Sequence, residues 1–223
     1  MWSALLDAQA TDEAEMIRGL ERLANAYWRP LYIFLRKRGQ THEQAADSVQ
    51  GFFEYLLTGE VLRKAQPGEG RFRNFLLVVF RRWLDDGQRK RTAIKRGGGA
   101  EHLPFDEIRD PDSGLNENTD DSPETAFDRK WALSLVTRAI NALEDEWSNK
   151  APLFQALKCG LDGAGGTEPY GVIATRLGMT EGAVKTAAYE LRKAFGAQVR
   201  REVRATVAAD QEVEDELRYL VEL

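Results

Sequence analysis

The sequence predicts an all-α chain of two small helical domains joined by an acidic linker. Apolar residues recur at three-and-four spacing in one segment after another, and no alternating strand pattern interrupts them. The charge is segregated: 63–96 carries Arg63, Lys64, Arg71, Arg73, Arg81, Arg82, Arg89, Lys90, Arg91, Lys95 and Arg96 against three acids, whereas 101–128 is acidic with Arg109 as its one base. Finally, 170–195 reads as a short helix, a glycine and a second helix, the spacing of a helix-turn-helix.

The 223 residues give room for one large or two small domains, and 43% hydrophobic content is enough for each to bury a core. The expected borders are 1–99 for the first domain, 100–122 for the linker, 123–206 for the second domain, and 207–223 for an acidic amphipathic helix. The first segment is acidic, with neither a basic stretch nor an apolar run of a targeting signal, and no apolar run approaches membrane-spanning length. A cytoplasmic protein without a membrane partner is the expectation.

Helix by helix, the first stripe is Ile17, Leu20, Leu23, Ala24, Tyr27, Leu31, Phe34 and Leu35. Asp12 and Glu15 read as its capping box, and Pro30 is expected to kink or divide it. Thr41 and Gln44 form a second capping pair before the apolar face Ala45, Val49, Phe52, Phe53 and Leu56. A third helix spans about 72–91, with Phe72, Phe75, Leu76, Val79, Phe80 and Trp83 on one side, and Gly97, Gly98 and Gly99 close the domain. Prolines 104, 111 and 123 mark 101–128 as a mobile connection.

In the second half, Ser122 and Pro123 read as N-cap and first position of a helix that buries Phe127, Trp131, Leu135, Ile140, Leu143 and Trp147. A short helix through Leu153, Phe154 and Leu157 ends in a turn at Gly163, Gly165 and Gly166. Ile173, Ala174, Leu177, Val184 and Leu191 supply the helix-turn-helix core. Gly178 takes the positive φ of the turn, and Thr180 caps the second helix. Its exposed side, Thr180, Glu181, Lys185, Thr186, Tyr189 and Arg192, has the residue types that reach base edges and phosphates in a major groove, with Arg200, Arg201 and Arg204 extending the basic surface. Valines 207 and 213 with Leu217, Leu220 and Val221 form the stripe of the final helix.

Rings interleaved with arginines in 71–91 suit single-stranded nucleic acid, where bases stack on aromatics and arginines track phosphates. The same spacing equally fits a helix whose rings are core and whose arginines are solvated.

Other chemistries lack their residues. No glycine loop has phosphate-cradling spacing. The one cysteine, Cys159, and the two histidines, His42 and His102, cannot complete a zinc site within the chain, and no disulfide can form. Neither histidine has a partner visible in sequence, and Cys159, at the end of an apolar run, reads as a small buried hydrophobe. No metal, no cofactor and no enzymatic activity are expected.

Taken in order, these parts resemble a bacterial extracytoplasmic-function (ECF) sigma factor over nearly the whole chain. AADSVQGFFEYLL is similar to the family's polymerase-clamp helix at Asp47, Val49, Gln50, Phe53 and Leu56. FRNFLLVVFRRWLDD is similar to its −10-element helix at Phe72, Arg73, Leu76, Arg81, Asp85 and Asp86. YGVIATRLGMTEGAVKT is similar to its −35-reading motif at Tyr170, Ile173, Ala174, Leu177, Gly178, Gly182, Val184 and Lys185.

The resemblance implies a helical bundle like sigma region 2 and a helix-turn-helix domain like sigma region 4. It implies core-polymerase contacts, at the β′ clamp and the β flap, through Asp47, Gln50, Phe53 and Glu54. The melted −10 strand would meet Arg71, Phe72, Arg73, Asn74, Arg81, Arg82, Trp83 and Arg89, with the loop 60–71 capturing a flipped base. Duplex promoter DNA would meet Arg176, Thr180, Glu181, Gly182, Lys185, Thr186, Tyr189, Arg192 and Lys193. An anti-sigma factor or another regulator is a further partner class.

Departures stand at Gly51, where the family usually has an acid, at Arg82, often asparagine, and at Ala187 and Glu190, commonly arginine. The stretch 144–166 and the tail 205–223 exceed the family's usual length. The competing expectation is a helix-turn-helix repressor or activator that acts on duplex DNA without joining a polymerase.

Overall fold

The computed structural model describes residues 13–57, 70–93, 121–161 and 168–223. The capping box at Asp12, most of the 60–71 loop, the 97–99 glycines, His102, the linker up to 120 and the 163–166 glycines lie outside them. The described residues form eight α-helices and no strand: α1 (Glu13–Lys37), α2 (His42–Leu57), α3 (Phe72–Ala93), α4 (Pro123–Glu146), α5 (Ala151–Leu157), α6 (Tyr170–Leu177), α7 (Glu181–Arg204) and α8 (Glu212–Glu222). None of them is long and apolar enough to cross a membrane. They belong to two compact units, Met1–Trp131 with Ala205–Leu223, and Ala132–Arg204.

In the first unit α1 runs unbroken through Pro30. The expected division does not occur, because Tyr27, Leu31, Tyr32, Phe34 and Leu35 on both sides of the proline are fully buried. Packing of that order, about 1.5–3 kcal/mol per large side chain, outweighs the ~3 kcal/mol of a mid-helix proline. The Thr41 capping pair is reciprocal: Thr41 N–H donates to Gln44 Oε1 at 3.1 Å, and Gln44 N–H to Thr41 Oγ1 at 3.3 Å. All five expected apolar residues of α2 are buried.

Phe80 of α3 is the hub of an aromatic core. Its ring lies 4.8 Å from Phe52, 6.2 Å from Phe34 and 6.2 Å from Trp83, centroid to centroid. A second group gathers on Tyr27, with Phe72 at 5.5 Å and Phe127 and Trp131 at 6.4 Å. Edge-to-face and offset ring pairs of this kind add about 0.5–1.5 kcal/mol beyond the area they bury.

Ser122 caps α4 as expected, its Oγ accepting from Thr125 N–H at 3.1 Å. The last acids of the 101–128 stretch are therefore not part of a mobile connection. Asp121, Glu124 and Asp128 flank or sit on the first turns of a helix, and each is paired with an arginine: Arg129 at 2.6 Å, Arg81 at 3.1 Å and Arg73 at 2.8 Å. Acidic side chains there also complement the helix dipole.

The final helix begins later than its apolar pattern suggests. Residues 205–211 are turns, and α8 starts at Glu212, whose carboxylate accepts from Ala208 N–H at 3.0 Å. Val207 and Val213 are buried, but Val221 is 87% exposed.

The second unit is built on Leu143, Leu153, Phe154, Leu157, Ile173, Ala174, Val184, Ala187, Ala188 and Leu191, with Ile140, Trp147 and Leu177 half-buried against them. Cys159 is exposed, contrary to expectation. Leu153, Phe154 and Leu157 already fill the buried stripe of α5, and the chain then tightens into a 3₁₀ turn at Lys158–Gly160 that carries residue 159 off that stripe.

Candidate nucleic-acid interface

The turn between α6 and α7 is made by backbone geometry that sequence chemistry selects. Gly178 ends α6 at φ +66°, and Met179 N–H reaches back to the Ala174 carbonyl at 2.9 Å. A Cβ at 178 would meet nothing within 4 Å, so the position needs glycine for its left-handed φ and not for room. Thr180 Oγ1 then accepts from Ala183 N–H at 3.2 Å and starts α7.

With Val184, Ala187, Ala188 and Leu191 buried, the opposite side of α7 presents Thr180, Glu181, Gly182, Lys185, Thr186, Tyr189, Arg192 and Lys193, all exposed. Arg176 of α6 is exposed beside them. The structure thus brings every residue expected for duplex DNA onto the helix-turn-helix surface. Ala187 belongs to the core, at 7% exposure, so its small side chain is a packing choice and removes no surface arginine.

Three of the cations are held by neighbours. Arg176 pairs with Glu168 at 2.5 Å, Lys185 with Glu181 at 2.7 Å, and Arg192 donates to Tyr170 Oη at 2.6 Å. The hydrogen bond and charge of Glu181 raise the Lys185 pKa, so that lysine stays protonated. Because Glu181 sits on the first turn of α7, its carboxylate would face phosphate wherever Lys185 does. If α7 binds duplex DNA, Glu181→Gln should therefore tighten that binding several-fold at low salt and lose the advantage as salt rises. Fluorescence anisotropy on a labelled duplex across a salt series reads this, and equal affinities at low salt would refute it.

On the first unit, the α3 rings face inward. Phe72 and Phe80 are fully buried, while Phe75 and Trp83 are half-buried. The Trp83 ring lies 3.4 Å from where a Cβ on Gly51 would stand, an ordinary contact distance, so nothing in the structure explains glycine at a position the resemblance gives to an acid. Asn74, Arg81 and Arg82 are exposed, Arg81 against Glu124, and the Arg89 side chain is outside the described part. On α2, Asp47 is exposed and Gln50 donates to Glu54 at 3.1 Å, but Phe53 is 3% exposed and holds α2 to the core. Phe53 and Phe72 therefore offer no surface to a partner. His42, for which the sequence shows no partner, has its Nδ1 2.8 Å from Tyr32 Oη.

Arg71 and Arg73 meet a cluster that sequence reading missed. Arg73 is buried. Its Nε donates to Asp128 at 2.8 Å, its Nη1 binds Glu216, and its guanidinium lies 5.4 Å from the Trp131 ring and 4.8 Å from that of Tyr219. Arg71 Nε stands at ion-pair distance, 2.7 Å, from Glu216 Oε2, and its guanidinium lies 5.5 Å from the Tyr219 ring. Tyr219 donates to Asp128 Oδ2 at 2.5 Å, and Phe72 N–H donates to the Thr206 carbonyl at 2.9 Å. The available signal was a carboxylate, Glu216, next to Leu217 and three residues from Val213 in the apolar stripe of α8.

Burial raises the Glu216 pKa above the ordinary carboxylate value, against the pull of Arg73 and Arg71 and with the help of Asp128. Burial likewise raises that of Tyr219, followed by its bond to Asp128. Folded Glu216 keeps its proton to higher pH than unfolded Glu216, so its ionisation costs stability. That cost appears as pH climbs from the ordinary carboxylate pKa to the raised one. Acidification through that window should slow amide exchange in α8, corrected for intrinsic rates, and Glu216→Gln should flatten the dependence. An unchanged pH profile in the variant would show that another group is responsible.

Among the described residues no group of histidine, cysteine and carboxylate side chains could hold a metal ion. No protein-family model matches this chain, and neither does any curated protein or solved structure.

Proposed function

We propose that the protein is a sigma factor of the extracytoplasmic-function kind: it joins RNA polymerase core, recognises a promoter, helps melt it and starts transcription. The observation that carries the reading is the helix-turn-helix, with Gly178 left-handed at the turn, Thr180 capping α7 and an exposed polar face around Lys185, Tyr189 and Arg192. A helix so presented fits a major groove N-terminus first. The ordered resemblance of the α2, α3 and α6–α7 segments adds polymerase and the −10 strand as partners.

The test is reconstitution. Purified protein added to core polymerase should direct initiation from a subset of promoters in a library, and core alone should not. No association with core, together with tight dimeric binding to duplex operators, would replace this reading with that of an ordinary helix-turn-helix regulator. One observation favours that second reading: Arg71, Arg73 and Arg81 of the basic segment are each engaged by a carboxylate.

A further inference from the structure

The cluster around Arg73 has the composition of a nucleotide site whose occupant comes from the same chain. A single-stranded nucleotide brings one anionic phosphate and one flat ring, and proteins hold it with guanidinium groups and aromatic faces. Arg71 and Arg73 are the guanidinium groups, and the fully buried Trp131 supplies a ring face against Arg73. What fills the remaining space is α8. The Glu216 carboxylate, with no exposed side-chain surface, takes both arginines, and the Tyr219 ring lies within cation–π distance of both.

We propose that α8 is a built-in competitor for single-stranded DNA: Glu216 stands where a backbone phosphate would bind and Tyr219 where a base would stack, so the strand gains Arg71 and Arg73 only when α8 leaves. The inference rests on the reading of α3 as a strand-binding helix.

The chemistry of α8 suits release. It carries Glu212, Glu214, Asp215, Glu216 and Glu222 against Arg218 alone, so approach of a polyanion repels it while attracting the arginines beneath. Its attachment is narrow, since Val213 and Glu216 are its only buried residues and Val221 projects into solvent. Arg73, by contrast, is anchored to the first unit independently of α8 through Asp128 and Trp131. Departure of α8 therefore leaves a formed cationic site.

The test uses the full chain and a fluorescein-labelled mixed-sequence single-stranded DNA 12-mer. If undocked α8 is about a tenth of the population, Glu216→Ala with Tyr219→Ala, which removes the contacts of α8 to Arg71, Arg73 and Asp128 whatever the protonation of Glu216, should bind the oligonucleotide about ten-fold tighter than the parent, because apparent affinity scales with the competent fraction. Adding Arg73→Ala should erase the gain. In the parent chain, saturating oligonucleotide should accelerate amide exchange across Glu212–Glu222, a readout that stands even where the variants fold poorly. Unchanged α8 protection under saturating oligonucleotide overturns the proposal, as does equal or weaker binding by a folded double variant. Absence of binding to any version also overturns it, while core-dependent initiation separately decides the sigma reading.

Discussion

Arg73→Ala is expected to cost about 3–5 kcal/mol of unfolding free energy, the range for removing one member of a buried charge network. The substitution takes the Nε donor from Asp128, the Nη1 contact from Glu216 and the guanidinium from the Trp131 and Tyr219 rings. Arg71 alone would then face Glu216. The molecule has one partial escape: α8 can undock and rehydrate Glu216, which relieves the Glu216 share of the loss but leaves Asp128 and Trp131 without Arg73. Urea unfolding gives the total, and amide exchange across Glu212–Glu222 tells which route is taken. Replacing both charges, Arg73→Met with Glu216→Met, should recover the share of the loss that comes from an uncompensated Glu216, while Asp128 is left with the Tyr219 hydroxyl in place of Arg73. A loss below about 1 kcal/mol for Arg73→Ala would mean that the network is solvated in solution and contributes little, as exposed pairs do.

Phe154→Ala is the corresponding expectation for the second unit. Phe154 has no exposed surface, contacts Trp147 at 6.5 Å between centroids, and shares its cluster with Ile173, Val184 and Leu191 of the helix-turn-helix. Truncating a buried phenylalanine costs about 3–5 kcal/mol through lost transfer energy and the cavity left behind. For a segment of this size that lowers the melting midpoint by roughly 10 °C or more. Because the same core orients α7, duplex affinity should fall with the folded fraction. Tyr189→Ala, at a position 67% exposed, should leave stability within about 0.5 kcal/mol while still weakening binding. A calorimetric scan and an anisotropy titration on each variant separate these outcomes, and a Phe154→Ala protein as stable as its parent would contradict the packing described for this unit.

Much of the secondary structure is legible in the chain because its signals are local. Thr41 with Gln44, Ser122 with Pro123, and Gly178 with Thr180 each satisfy backbone groups within a few residues, and the structure forms all three. The exposed face of α7 is legible for the same reason. Even the buried state of Ala187 was available, since 184, 187, 188 and 191 follow helical spacing, but resemblance drew attention to a missing arginine instead. Pro30 misleads in the opposite direction: a local rule forecasts a break, and tertiary burial on both sides of the proline overrides it.

The sequence by itself determines the all-helical class, the caps and turn of the helix-turn-helix, and the basic and acidic segregation, all set by interactions spanning four residues or fewer or by composition. The tertiary structure alone decides the fate of the charges. Glu216 meets Arg73 across 143 positions and Tyr219 meets Asp128 across 91. Such partners are unspecified by spacing, because burial changes the energetics of a carboxylate only once a distant element has folded over it and excluded water. The same applies to the basic segment. Whether its rings and arginines face solvent or core was undecided by periodicity, and packing turned Phe72 and Phe80 inward and gave Arg71 and Arg73 to the last helix of the chain.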